Sequence, residues 1–428
     1  MPRDPFPSTF PELWIMTDNT AAAAMPTDTP LRTLLTGAQM LFVAFGALVL
    51  VPLLTGLDPN VALFTAGIGT LIFHGVTRVS VPVFLASSFA FIAPIQSSVA
   101  NYGIPATLGG LMVAGLVYVV ISQFVRLKGT VWLHRLLPPV VVGPVIMVIG
   151  LALAPVAVDM ATGETSDNIG YGAAIFLSMT SLLVTLVLAV FGRGLIRLVP
   201  IMGGIVTGYV LSLVMGVVDF SPVQESAWLS LPSFTAPSFH WAAILFMIPV
   251  AIAPAVEHIG DMVAIGSVTR RNYLEKPGLH RTLLGDGLAT TAAALFGGPP
   301  NTTYSEVTGA VTLTRAFNPR IMVVAACIAI VLAFVGKLGA LLQTIPGPVM
   351  GGIMTLLFGS IAVVGMNTLV RAGKPLTAPR NLVVVSLVLV FGIGGMQFGN
   401  GQFTLQGVSL AALVGIVLNW VLPRDEEE

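Results

Sequence analysis

The sequence predicts an all-α polytopic membrane protein of fourteen transmembrane segments, arranged as two inverted seven-span repeats. Three observations point there. The chain is 55% hydrophobic and only 9% charged, with a mean hydropathy of +0.94, a composition no soluble core requires. From Leu34 onward it breaks into apolar stretches punctuated by Gly, Pro and charge, and about fourteen of them approach the ~20 residues needed to cross a ~30 Å hydrocarbon core. The basic residues then fall almost entirely in alternate loops.

Residues 1–30 are polar, rich in proline and alanine, and lack the basic start and short apolar run of a cleaved signal peptide. They are expected to form a disordered cytoplasmic extension, with Met16 and Met25 as alternative starts. The expected spans are 34–54, 61–76, 80–95, 105–125, 138–157, 171–191 and 197–217 in the first half. In the second half they are 240–264, 280–297, 301–313, 319–341, 346–366, 380–397 and 404–422. The third and tenth are short for helices and carry Pro82, Pro94, Pro299 and Asn301 at or near their ends. Short, interrupted segments at corresponding places in two halves are the sequence sign of a binding site at mid-membrane.

Charge tests the span count independently. With the amino end inside, the inner loops hold Arg78; Arg126, Lys128 and Arg135; Arg193 and Arg197; Arg270, Arg271, Lys276 and Arg281; Arg315 and Arg320; and Arg371, Lys374 and Arg380. Only Lys337 falls near an outer loop, and the outer loops carry Asp58, Asp159, Glu164, Asp167, Asp219 and Glu225 instead. An odd count would scramble this segregation, so both termini are expected in the cytoplasm. A weak internal repeat agrees: Pro139-Val140-x-x-Gly143 followed by Gly150 matches Pro348-Val349-x-x-Gly352 followed by Gly359, roughly half a chain apart. Seven spans per repeat is odd, so the two repeats are inverted relative to one another.

A net charge of zero argues for neither nucleic acid nor an anionic partner, and residues 424–428 read as a solvated acidic tail. The single cysteine, Cys327, can form no internal disulfide. The chemical content is four acids at bilayer depth: Glu257, Asp261, Asp286 and Glu306. Each costs roughly 2.5 kcal/mol or more there and persists mainly where it binds substrate, carries protons or pairs.

Glu257 and Asp261 stand four residues apart, which puts both carboxylates on one helix face about a turn from each other. Two such acids in a low dielectric do not both ionise cheaply, so one is expected to hold a proton near neutral pH. The competing reading pairs Asp261 with Arg270 or Arg271. His258 is expected to be satisfied locally on another face, and Asp286 reads equally as a packing acceptor or as support for the site.

The second constellation is Asn301-Thr302-Thr303-Tyr304-Ser305-Glu306. A half-helix that starts at mid-membrane exposes free N–H donors, and Glu306 adds an acceptor. A planar nucleobase edge offers the complementary set. The matching third segment is Ser87-Ser88-Phe89-Ala90-Phe91, where Phe89 offers an aromatic face, though plain apolar packing explains Phe89 and Phe91 as well. Asn301-Thr302-Thr303 also fits the glycosylation sequon but adjoins a membrane segment.

These runs, with Glu257-His258-Ile259-Gly260, Gly278-Leu279-His280-Arg281 and Gly285-Asp286-Gly287-Leu288-Ala289-Thr290-Thr291, resemble the nucleobase-ascorbate transporter (nucleobase:cation symporter-2) family, closest to bacterial uracil permeases, from about Leu34 to Leu422. The resemblance implies a core domain of spans one to four and eight to eleven (31–135 and 236–343) and a gate domain of spans five to seven and twelve to fourteen (136–235 and 344–423). It implies short antiparallel strands in spans three and ten, proton coupling, elevator-like movement of the core, and a homodimer through the gate domains. By carry-over, Glu257 and Glu306 bind the base edge, the backbone at Phe89 and Ser305 adds hydrogen bonds, and Phe89 and Tyr304 pack at the substrate. Glu257, Asp261, Glu306 and Asp286 are then the proton-coupling candidates.

The chain also departs from the uracil pattern. Asp261 stands where those permeases carry a histidine and the purine branch an aspartate, and Asp286 fits the purine branch too. Glu306 is of the uracil type, where purine members have glutamine. The signature Glu306-x-x-Gly309 through Thr314-Arg315 is kept except that Val307 replaces the expected asparagine, and Met40 follows Gln39 where uracil permeases tend to have histidine. The expectation is therefore a carrier and not an enzyme, with no cofactor or metal and the proton as coupling ion, importing uracil across the inner membrane. Xanthine or uric acid is the alternative substrate. An anion transporter or channel on the same architecture is the different class, and it requires a positive site in place of these acids. A scaffold without transport has no reason to bear their cost.

Overall fold

The computed structural model of the chain describes residues 29–129, 137–165, 169–194, 199–373, 375–400 and 403–423. The expected amino-terminal extension up to residue 28, the acidic tail and the loop residues Arg135, Asp167, Arg197 and Lys374 lie outside the described residues.

Helices dominate. The chain opens with α1 (Pro30–Thr55) and α2 (Pro59–Thr77), each begun by a proline in its first turn and a side-chain cap, Thr29 and Asp58. Strand β1 (Leu85–Ser87) and a single 3₁₀ turn (Phe89–Phe91) lead into α3 (Ile92–Lys128). Gly103 breaks α3, with φ 79° and ψ 169°, because only glycine reaches that conformation without strain and Pro105 cannot donate the next bond. Next come α4 (Pro139–Ala152), α5 (Ala154–Thr162), α6 (Tyr171–Phe191), α7 (Pro200–Val214) and the short α8 (Ser221–Glu225).

The second half follows with α9 (Trp241–Val250), α10 (Ile252–Thr269) and α11 (Leu279–Leu295), then β2 (Asn301–Thr303), α12 (Ser305–Thr314), α13 (Arg320–Ala333) and α14 (Gly336–Gln343). It closes with α15 (Gly347–Arg371), α16 (Pro379–Ile393), a hairpin of β3 (Gln397–Asn400) and β4 (Phe403–Gln406), and α17 (Gly407–Val421). Among the described residues, six helical stretches, with α4 and α5 taken as one, are long and apolar enough to cross a membrane, and five shorter apolar helices accompany them. Together with the broad apolar surface of α6, which exposes Phe176, Met179, Leu183, Val187 and Val190, they describe a multi-pass membrane protein.

Packing sorts these elements into two sets. In the first, α11 lies against α2 and α3, α13 against α1 and α2, α9 against α3, α12 against α1 and α10, and the strands β1 and β2 against α2 and α11. In the second, α15 packs on α4, α5 and α6, α6 on α7, and α16 and α17 on each other and on α4. Close approach depends on missing side chains, as lipid supplies no hydrophobic drive between helices. A Cβ added to Gly115 would lie 2.4 Å from Thr291 Oγ1 and 2.8 Å from the Gly287 carbonyl, so α3 and α11 meet backbone to backbone. The repeated Pro-Val-x-x-Gly runs open α4 and α15, which pack together; a Cβ on Gly143 would meet Leu369 at 2.6 Å and the Gly365 carbonyl at 2.8 Å.

The two strands solve a hydrogen-bonding problem. Pro299 and Pro300 keep the chain out of helix, and extended backbone inside a bilayer must find every partner within the protein. β1 and β2 pair antiparallel, Leu85 with Thr303, Ala86 with Thr302 and Ser87 with Asn301. Ser88 N–H donates to the Pro300 carbonyl at 2.9 Å and Leu85 N–H to Thr70 Oγ1 at 2.9 Å, while Thr290 Oγ1 donates to the Asn301 carbonyl at 2.7 Å. Asn301 Nδ2 donates to the Thr65 carbonyl at 2.8 Å, which holds this buried side chain against α2 and away from any glycosylation machinery.

Candidate functional site

A cavity of about 400 Å³ opens where the strand pair meets α4 and α15. The first packing set contributes Ser87 from β1, Phe89 from the turn, Glu257 and Asp261 from α10, Thr302 and Thr303 from β2, and Tyr304 and Glu306 at the start of α12. The second contributes an apolar wall, Pro139, Val142, Ile146 and Ile149 of α4, and a stripe of α15 with Ser360, Asn367 and Thr368. Among the described residues three carboxylates line the space, and no Lys or Arg does.

Each position follows from local structure. Glu257 and Asp261 are one turn apart on α10, so both face the cavity, as their spacing requires. His258, the next residue round the helix, is turned some 100° away. Its Nδ1 lies 3.1 Å from Asp286 Oδ2 on α11 and 3.4 Å from Thr303 Oγ1, with both His258 and Asp286 fully buried. The expectation that His258 is satisfied locally is thus corrected: its neighbours come from another helix and a strand, because the face it occupies points into α11.

Asp286 does not line the cavity; it stands behind the site, next to His258. Thr303 Oγ1 donates to Asp261 Oδ2 at 2.7 Å, so β2 orients the acid. Arg270, one of the two basic residues weighed as partners of Asp261, ends α10 in the left-handed region.

Glu306 occupies the first turn of α12 and is open to the cavity. Free backbone N–H groups and the positive end of the helix dipole both favour negative charge at that place. The backbone of Ser305 begins the same helix. Phe89 and Tyr304 face each other across the strand ends, ring centroids 6.1 Å apart and tilted 47°. Ser87 Oγ and Thr302 Oγ1 line the cavity, are buried, and have no hydrogen-bond partner within the described protein.

Sequence reasoning named Ser87 and Thr302 only as members of their runs, with no role of their own, and did not single out Ser360, Asn367 or Thr368. A signal existed for the last three: Ser360, Val364, Asn367 and Thr368 fall at i, i+4, i+7 and i+8, a polar stripe along one face of an otherwise apolar helix. The hydroxyls of Ser87 and Thr302 look from sequence like any strand residue, and only the pairing register aims them.

A bundle of broken and continuous apolar helices enclosing a small cavity lined by acids, with two short strands at mid-fold, defines a multi-pass membrane transporter. The model of the Xan_ur_permease permease family matches residues 31–400, and the chain belongs to that family, the nucleobase-ascorbate or nucleobase:cation symporter-2 transporters. It is 57% identical to a probable uracil permease of Haemophilus influenzae over 413 residues, 96% of this chain and 100% of the relative. It is 42% identical to the uracil permease of Bacillus subtilis over 411 residues, 94% of each chain, and 38% identical to that of Escherichia coli over 396 residues, 91% of each. In fold it is similar to the transmembrane domain of the cyanobacterial bicarbonate transporter BicA, with a TM-score of 0.64 at 15% identity, covering 90% of this chain and 96% of that one. It is similar also to the murine anion transporter Slc26a9 in its inward-facing state, with a TM-score of 0.67 at 11% identity, covering 92% and 68%.

Proposed function

We propose that this chain imports uracil across the inner membrane in symport with protons. The observation that carries the reading is the cavity in which Glu257, Asp261 and Glu306 converge beside Phe89 and the start of α12, with no Lys or Arg among the described lining residues. Uracil presents N–H donors beside carbonyl acceptors on a flat ring. Glu257 and Glu306 accept from the N–H groups, the first amides of α12 at Ser305 and those at Phe89 donate to the carbonyls, and Phe89 and Tyr304 pack against the ring. The names of the relatives support uracil as the base.

Asp261, held by Thr303, together with Glu257 and Glu306 supplies carboxylates that exchange a proton as the site fills and empties. Asp286, behind His258, is the fourth proton-coupling candidate. In this reading the fourteen segments form two inverted repeats, with the strands β1 and β2 belonging to spans three and ten. The first packing set, 31–135 with 236–343, is the core that carries the site. The second, 136–235 with 344–423, is the gate against which the core moves as an elevator and through which two copies associate, with both termini in the cytoplasm. The apolar wall of α4 supports a sliding interface, since it offers the substrate no competing hydrogen bonds.

A second reading, transport of xanthine or uric acid, is favoured by the presence of Asp261 and by the buried Asp286. The fold likeness to anion transporters does not extend to the site, where acids stand in place of the positive groups an anion needs. The test is binding of radiolabelled uracil to purified protein at two pH values, competed by xanthine, uric acid and adenine. Displacement by uracil analogues alone supports the first reading, and displacement by xanthine supports the second. No binding of any base sinks both.

A further inference from the structure

A second cleft, of about 690 Å³, opens at the far ends of α2 and α10, and its lining shares no residue with the acid-lined cavity. Two chain segments remote in sequence build it: the end of α2 with the residues that follow it, and the connection from α10 with the first turn of α11. They bring four cationic side chains, Arg78, Arg271, Lys276 and Arg281, and the imidazole of His280 to one space, against the single carboxylate of Glu275. Among the described residues none of the four cations stands at ion-pair distance from a carboxylate.

Basic loops are general on one side of a membrane protein, and their charges need not gather. Like charges on separate segments repel, so four of them around one cleft with a single carboxylate, Glu275, form a net positive field that an anion relieves. Guanidinium groups are suited to phosphate oxygens, which they meet with two parallel N–H donors. We propose that this cleft binds a phosphate group, carried either by an anionic phospholipid headgroup or by a soluble phosphate. A phosphate bridging Arg78 and Arg271 would tie the end of α2, from which the chain runs on to β1, to the connection between the helices that carry Glu257, Asp261 and Asp286. The ligand would therefore brace both sides of the acid-lined site from behind without entering it. This inference does not depend on which base the transporter carries.

The test uses the purified full chain in a neutral detergent at low salt, with thermal unfolding followed by tryptophan fluorescence. It is titrated separately with inorganic phosphate, with phosphatidylglycerol micelles and with phosphatidylcholine micelles. The parent is expected to melt higher with phosphatidylglycerol or with inorganic phosphate but not with phosphatidylcholine. The double variant Arg78→Gln, Arg271→Gln is expected to melt like the parent without additive and to lose the rise. A rise with phosphatidylglycerol alone assigns the site to the lipid headgroup, and a rise with inorganic phosphate assigns it to a soluble phosphate. Equal responses of parent and variant, equal responses to the two lipids without one to phosphate, or no response at all would overturn the proposal. Should the double variant fail to fold, Lys276→Gln, on the exposed connection, replaces it in the same comparison with the same outcomes.

Discussion

Replacing Glu306 with glutamine keeps the size and shape of the side chain but removes its charge and turns one of its two acceptor oxygens into a donor. In the structure Glu306 opens directly on the cavity from the first turn of α12, where among the described lining residues only Glu257 and Asp261 are other carboxylate acceptors. A hydrogen bond to a charged group contributes about 1.5–3 kcal/mol, and a donor left facing a donor adds its own desolvation cost. With tenfold in affinity for each 1.4 kcal/mol, Glu306→Gln should weaken uracil binding by about 10- to 150-fold. The assay is equilibrium binding of radiolabelled uracil and, separately, xanthine to purified protein, with thermal unfolding as the control for folding. A base with an acceptor at the corresponding edge should lose less or gain. Uracil affinity equal to the parent's in a folded variant would refute the assignment of Glu306 to the base edge, and with it the role given to the start of α12.

Thr303→Val removes the 2.7 Å bond to Asp261 at nearly constant volume and should lower uracil uptake by about 10-fold or more, measured in reconstituted vesicles with a proton gradient; unchanged uptake would remove Thr303 from the site. Asp286→Asn should abolish accumulation driven by the gradient while uracil binding stays near the parent's, because Asp286 is separated from the cavity and adjoins His258. A comparable loss of binding would mean that Asp286 acts on the substrate and not behind it. Gly115→Ala should destabilise the protein by about 1–3 kcal/mol, read as a lowered melting temperature, since the new methyl lies 2.4 Å from Thr291 Oγ1. Gly75→Ala, with nothing within 4 Å, should leave stability unchanged or slightly raised.

How much of this was legible beforehand depended on the kind of physics involved. The four acids stood out because a carboxylate in an apolar run is costly wherever the chain places it. The spacing of Glu257 and Asp261 was enough to put them on one face, since helix geometry is local. Hydropathy located the apolar segments well, and residues 171–191 match α6 to the residue. It did not see that several apolar stretches are two helices: 240–264 divides at Ala251 into α9 and α10, and 319–341 divides between α13 and α14. A window of apolar residues has the same hydropathy whether or not its backbone turns. The β3–β4 hairpin escaped for a related reason, because 397–406 mixes Gly, Gln and Phe without a regular alternation.

His258 marks the boundary between the two kinds of knowledge. Its identity and its helix could be read along the chain, but that it faces Asp286 on α11 and Thr303 on β2 depends on how three remote segments pack. The same holds for the stripe of Ser360, Asn367 and Thr368, whose periodicity is local while the cavity it faces is not. Composition and the cost of buried charge settle locally, residue by residue, that the protein lives in a membrane and that its acids must have work there. Which acid meets the cavity, which stands behind it, and which hydroxyls are left unpaired at its edge are set by the pairing of β1 with β2 and the packing of α11 against α2 and α3. Those contacts join residues distant in sequence, and their geometry exists only once the backbone has closed on itself.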